Sequence, residues 1–281
     1  MSIFDPITKE DIGNAVLDQI KDFDEKIQSL KDVISFGLND SSYSNLYDVA
    51  TGISLTIAGV CLAIAVIMAY MAIVNEGLTL RGDWKKIVTI LLRLAITKGL
   101  IDSSTQFVVW IYSFPAKITE LVINYTTDKH KSGILTSVFN AADIATGLGV
   151  TDDTGILSKF VALQYARVIG FVFFILSIVI FIIALARILK IYTLLAFSSL
   201  AFAKIPLHGF SGCKDYLKEM CALGLQGAII VTSICLFEVA NTSIANICGT
   251  GIMGSLGSVF VLGISMCLLI FKSEEIARKV I

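Results

Sequence analysis

Between Val49 and Asn75 the chain runs for 27 residues without a charged side chain. As an α-helix such a run is about 40 Å long, enough to cross the ~30 Å hydrocarbon core of a bilayer. The pattern recurs. Val168 to Ala186 gives 19 uncharged residues, Met220 to Phe237 gives 18, and Val239 to Phe271 gives 33. The first half of that last run carries Asn241, Asn246, Gly249, Gly251, Gly254 and Gly257, so it reads as a loop leading into a span at about 255–271. A further span fits residues 87–112, although Arg93, Lys98 and Asp102 lie inside it. Composition agrees: 56% of the 281 residues are hydrophobic, only 16% are charged, and mean hydropathy is +0.82. The expectation is an all-α, polytopic membrane protein with about five transmembrane helices at 49–75, 87–112, 168–186, 220–238 and 255–271.

Residues 1–48 differ in character. Ten acidic side chains stand against four lysines, and the first fifteen residues lack the basic and apolar regions of a cleavable signal peptide. Within this segment Val16, Ile20, Phe23, Ile27, Leu30 and Ile34 recur at spacings of four and three, a heptad seam of nearly three repeats. Thr8, with Asp11 three residues on, can cap the helix that carries the seam. Such a seam serves either contacts between subunits or the docking of one amphipathic helix on its own membrane domain. The segment 1–48 is expected to be extracytoplasmic, leaving 49–281 as the transmembrane domain.

Orientation follows from lysine and arginine placement. With five spans and the N-terminus outside, the cytoplasmic parts hold 11 cations in 54 residues and the outer parts 8 in 111. This predicts a multi-pass protein of the cytoplasmic membrane, N-terminus out and C-terminus in. Ile191 to Ala203, thirteen uncharged residues between Lys190 and Lys204, is too short to span. Counting it as a span would also move Lys204, Lys214 and Lys218 outside. It is therefore expected to be a re-entrant or interfacial element on the cytoplasmic side.

Polar residues inside the apolar runs are the candidate functional positions. At 100° per residue Lys98, Asp102, Thr105 and Gln106 share one side of the 87–112 helix, while Arg93, Thr97 and Ser104 share another. Lys98 and Asp102, at i and i+4, can neutralise each other. Three readings remain open: a pair that fixes helix packing, a stripe lining a pore or cavity, or a proton relay. Glu238 follows the fourth span and reads as an interfacial carboxylate. Lys190, Lys204, Lys214 and Lys218 are candidates for contact with a cytoplasmic partner or a passing substrate. Net charge of −1 leaves no basic surface of the size that nucleic-acid binding as a main activity requires. The six cysteines form no C-x-x-C pair, His130 and His208 lie far apart, and no P-loop, H-E-x-x-H or G-x-S-x-G motif is present. Neither an enzyme nor a cofactor or metal site is expected.

Two blocks carry a resemblance. One is Lys86 to Asp102, ending in "RLAITKGLID". The other is Ala201 to Val231, where "AFAKIPLHGFSG" leads into "KDYLKEMCALGLQGAIIV". Together with the arrangement of spans over residues 50–271, they make the chain similar to the TrbL-like (VirB-six-like) polytopic membrane subunits of type IV secretion systems, in the compact form of Gram-positive conjugative elements. The resemblance implies a channel or platform subunit for conjugative DNA transfer that assembles as a homo-oligomeric ring in the lipid bilayer. It further implies contact with bitopic scaffold subunits, secretion ATPases and, in transit, a DNA–protein substrate. The heptad seam would then serve as an N-terminal oligomer contact. A membrane subunit of a solute transporter is the alternative, although no inverted repeat of the charged second span is found later in the chain.

Overall fold

A computed structural model describes residues 8–35, 38, 41–78, 84–129, 156–247 and 252–281, and among these there are only helices and turns. In chain order the helices are α1 (Lys9–Ser35), α2 (Ser44–Leu78), α3 (Trp84–Asp102), α4 (Ser104–Lys129), α5 (Ile156–Ala196), α6 (Ser198–Phe202), α7 (Ile205–His208), α8 (Ser211–Ile247), α9 (Ile252–Phe271) and α10 (Ser273–Val280). A single 3-10 turn, Ser41–Tyr43, precedes α2.

Among the described residues, three stretches are long and apolar enough to cross a membrane: Ser41–Glu76, Gly170–Ala196 and Ser211–Phe237. They coincide with the first, third and fourth expected spans. The expected span 87–112 is divided by a turn at Ser103, between α3 and α4. Backbone bonds still bridge that turn, from the Ser103 amide to Gly99 O and from the Phe107 amide to Ser103 O, so the chain bends there without leaving its ladder. Pro115 lies inside α4 and removes one further amide donor. Ile252–Phe271 is helical over the fifth expected span.

The expected separate element at 191–203 is divided differently. Nothing between Arg187 and Ala196 breaks a helix, and α5 passes straight through Lys190 to Ala196. The chain turns at Phe197, and α6 and α7 follow as short steps. Gly209 ends them with φ 63° and ψ −159°, a backbone region open essentially to glycine alone.

The chain divides into two compact units. The first comprises Met1–Ser35, Glu120–Ala184 and Ile229–Ser273. Its core joins the α1 seam to Phe173, Ile180 and Ala184 of α5, Ile230 to Phe237 of α8, and Met266, Cys267 and Ile270 of α9. Val16, Ile20, Phe23, Ile27, Leu30 and Ile34 are each only 0–3% exposed. The seam expected to join subunits is therefore occupied by the chain's own helices. An apolar stripe on a helix whose other faces are charged gains from any apolar partner, and α5, α8 and α9 supply one within the chain. Helix α1 starts as its sequence predicts: Thr8 donates its hydroxyl (2.6 Å) and amide (2.9 Å) to the Asp11 carboxylate, and the Asp11 amide donates back to Thr8 Oγ1. The Thr8 hydroxyl holds that carboxyl below its ordinary range.

The second unit comprises Phe36–Thr119, Leu185–Ala228 and Glu274–Ile281. Here α2 packs on α3, α6 and α7, and α3 packs on α6 and α7. Ala69, Ala72 and Ile90 form a small core with Ile73, Leu94 and Leu207 around them. Helices α4 and α8 approach closely where Gly224 faces Pro115: a β-carbon added at Gly224 would lie 2.2 Å from Pro115 Cγ.

Candidate functional site

The polar residues of the second unit gather at four places. The first is a recess of about 390 Å³ between α2, α3 and α7, lined by Asn75, Glu76, Lys86, Thr89 and Arg93 and closed by Ala72, Ile90, Pro206 and Leu207. Lys86 Nζ pairs with Glu76 Oε2 at 3.0 Å. Arg93 is half-buried with no carboxylate partner among the described residues. Its guanidinium carbon would sit 3.6 Å from a β-carbon at Gly209, so the arginine lies against the turn.

The second place is Arg187. It is 4% exposed, and no carboxylate pairs with it among the described residues. Its Nε donates to Leu223 O (2.9 Å), and its Nη2 donates to Tyr112 Oη (2.9 Å) and Gly224 O (3.5 Å). Helix carbonyls near a span carry partial negative charge and can accept a second hydrogen bond, which partly offsets the cost of burying the cation. Gly227 is needed here, since a β-carbon would come within 2.5 Å of Nη2.

Third, four serine hydroxyls meet in the interior. Ser54 Oγ lies 3.3 Å from Ser104 Oγ, 3.1 Å from Ser198 Oγ and 2.9 Å from Ser199 Oγ, and Ser104 and Ser199 are 2.9 Å apart. Ser104 begins α4 just after the turn at Ser103, and Ser198 and Ser199 begin α6 just after the turn at Phe197. Both helix breaks thus meet on one residue of α2. A hydroxyl both donates and accepts, so a closed group of this kind satisfies itself without water.

The fourth place binds the C-terminal helix. Lys190 pairs with Glu219 (3.0 Å) and Glu274 (2.5 Å), and Arg278 pairs with the same two carboxylates (2.7 and 2.8 Å). Two cations and two anions alternate, tying α10 to α5 and α8. The Lys190 ammonium holds the Glu274 carboxyl below its ordinary value of 4.5 against the opposing push of burial, with Arg278 adding to the lowering. A carboxyl depressed in the folded state contributes stability above its unfolded pKa, and that contribution is lost as pH falls through the folded value. A spin label at Ile281 should therefore be immobile near neutral pH and become mobile only as pH drops below about 4.5. Unchanged mobility down to pH 3 would mean that the ion pairs do not hold α10.

Placed in this frame, the sequence candidates separate. Arg93, Thr97 and Ser104 form the inward side of α3 and α4, with Thr97 and Ser104 buried. Lys98, Asp102 and Gln106 are exposed, and among the described residues no ion pair joins Lys98 to Asp102. Both side chains point out of the unit. Lys190 is engaged with Glu219 and Glu274 and is not free for a partner. Lys204, Lys214 and Lys218 are exposed. Glu238 lies on α8, and its side chain is outside the described ones.

Arg187, Tyr112 and the serines carry no signal in the sequence that singles them out. Arg187 stands at the end of an uncharged run, where an arginine ordinarily reaches for the headgroups.

The described residues hold no group of three His, Cys, Asp or Glu side chains able to bind a metal ion. They define an all-helical chain with three helices of membrane-spanning length and composition, and with polar residues arranged for helix–helix fixing. No protein-family model, no curated protein and no solved structure matches the chain.

Proposed function

We propose that this chain is a membrane channel or platform subunit of a type IV secretion machine for conjugative DNA transfer. The observation that carries the reading is a meeting of the two blocks behind the resemblance. Lys86 to Asp102 and most of Ala201 to Val231 belong to the same unit, and Arg93 of the first lies against Gly209 of the second. In this reading the chain sits in the cytoplasmic membrane with its N-terminus outside and its C-terminus inside, and assembles as a ring with scaffold subunits. Lys204, Lys214 and Lys218 face the cytoplasm, where a secretion ATPase or the DNA–protein substrate meets them. Exposed lysines on a turn and the first turns of a helix suit contact with an acidic or phosphate-bearing partner.

The test is a mating assay in the strain that encodes the chain. Loss of the chain alone should abolish conjugative transfer, and the chain supplied in trans should restore it. A variant with Lys204→Glu, Lys214→Glu and Lys218→Glu should reach normal membrane levels yet transfer poorly. Normal transfer without the chain overturns the assignment. Normal transfer with the charge-reversed variant removes the lysines from it.

A further inference from the structure

Helix α1 runs beside the apolar segment of α5 in parallel register. Gln19 packs on Gly170, Phe23 on Phe173 with ring centroids 5.2 Å apart, and Lys26 Nζ lies 5.2 Å from the Phe174 ring centroid. Ile27 and Leu30 then share a recess of about 290 Å³ with Ser177, Ile178 and Phe181. All these α5 residues fall inside the uncharged run 168–186 and the candidate span Gly170–Ala196. If that run crosses a bilayer, the middle of α1 lies at the same depth.

The two helices present different chemistry outward. On α5, Phe171, Phe174, Ile175, Ile178 and Ile182 are exposed, a surface suited to lipid chains. On α1 Asn14, Asp18, Lys21, Asp22, Glu25 and Ser29 are exposed as one stripe on the side away from the seam, while the exposed Gln19 and Lys26 flank α5. Asp22 and Lys26 pair at 2.6 Å, and Lys21 and Asp18 at 4.0 Å, but both pairs remain open to their surroundings. Charged side chains at bilayer depth are costly against hydrocarbon and are found facing protein interiors or watery cavities. A partner helix would have to bring a matched charge to each of these groups, whereas water solvates them all.

We propose that the Asn14–Ser29 face of α1 borders water within the depth of the bilayer, giving the first unit a lipid-facing flank on α5 and a water-facing flank on α1. The inference rests on the membrane reading of α5 and not on conjugation, so it stands or falls independently of the mating assay.

Single variants Asp18→Cys, Lys21→Cys and Glu25→Cys, with Ile175→Cys and Ile182→Cys for comparison, test it in membrane fragments open on both sides. A charged, membrane-impermeant thiol reagent reacts with thiolate, which hydrocarbon suppresses and water permits. The α1 positions should label at least about tenfold faster than the α5 positions, once the labelling of the unaltered protein is subtracted. Slow labelling at both sets would mean that lipid or protein covers α1. Fast labelling at both would mean that the α5 segment lies outside the bilayer. Either result overturns the proposal. A fluorophore on the same cysteines gives an independent reading: quenchers carried on acyl chains should reach 175 and 182 and miss 18 and 25. Quenching at 18 and 25 would also overturn it.

Discussion

Phe23→Ala is expected to destabilise the first unit by about 3–5 kcal/mol, the range for emptying a buried aromatic site. Phe23 is 1% exposed and packs with its ring tilted against Phe173, at the middle of the seam. The unit carries its own reporters, because Cys235 and Cys267 are buried in the same core. On heating the protein in nanodiscs, both thiols should become reactive at a lower temperature in Phe23→Ala than in the parent. The same variant separates two uses of the seam. A seam that joined subunits would change particle mass and leave the thiol transition in place; a seam that closes the chain's own core does the reverse.

Gly224→Ala is expected to be the most damaging small change in the second unit, at about 3 kcal/mol, near the upper end for overpacking. The new methyl would lie 2.2 Å from Pro115 Cγ and 2.7 Å from Pro115 Cβ, and a proline ring cannot swing aside. Separating α4 from α8 there also moves Tyr112 and Gly224 O, two of the three acceptors around Arg187. Cys213, buried in this unit, should be exposed at lower temperature, with Cys235 and Cys267 less affected. An unaltered Cys213 transition would show that α4 yields at Pro115 without cost.

What the sequence disclosed depended on how local the signal was. The α1 seam was legible because six apolar residues keep a 3.5-residue period inside a polar segment, and the Thr8–Asp11 cap lies within one turn. The three apolar stretches were legible from length alone. The partner of the seam was not, since a heptad pattern is the same whether it meets another chain or helices 150 residues further on. The covered side of the second span was not legible for a related reason. Lys98 and Asp102 have the spacing of a pair, but spacing does not say which side of a helix is covered, and the structure covers the side of Arg93, Thr97 and Ser104. Arg187 depends on Tyr112 and Leu223, residues 75 and 36 positions away, and the serine group depends on separations of 50 and more. Contacts at that range leave no periodicity to read.

The seam also sets an order of events during synthesis. Residues 16–34 leave the ribosome before their partners, residues 173–184, 230–237 and 266–270. At about 5–20 residues per second, α1 waits on the order of 10–50 s before the last of these is made. For the first part of that interval the six apolar side chains lack all their mates, and to its end they lack those of α9, while the spans behind them enter the bilayer. Helix α1 is therefore among the last of these helices to take its place, and whatever shields its apolar stripe in the meantime governs how much of the protein assembles correctly.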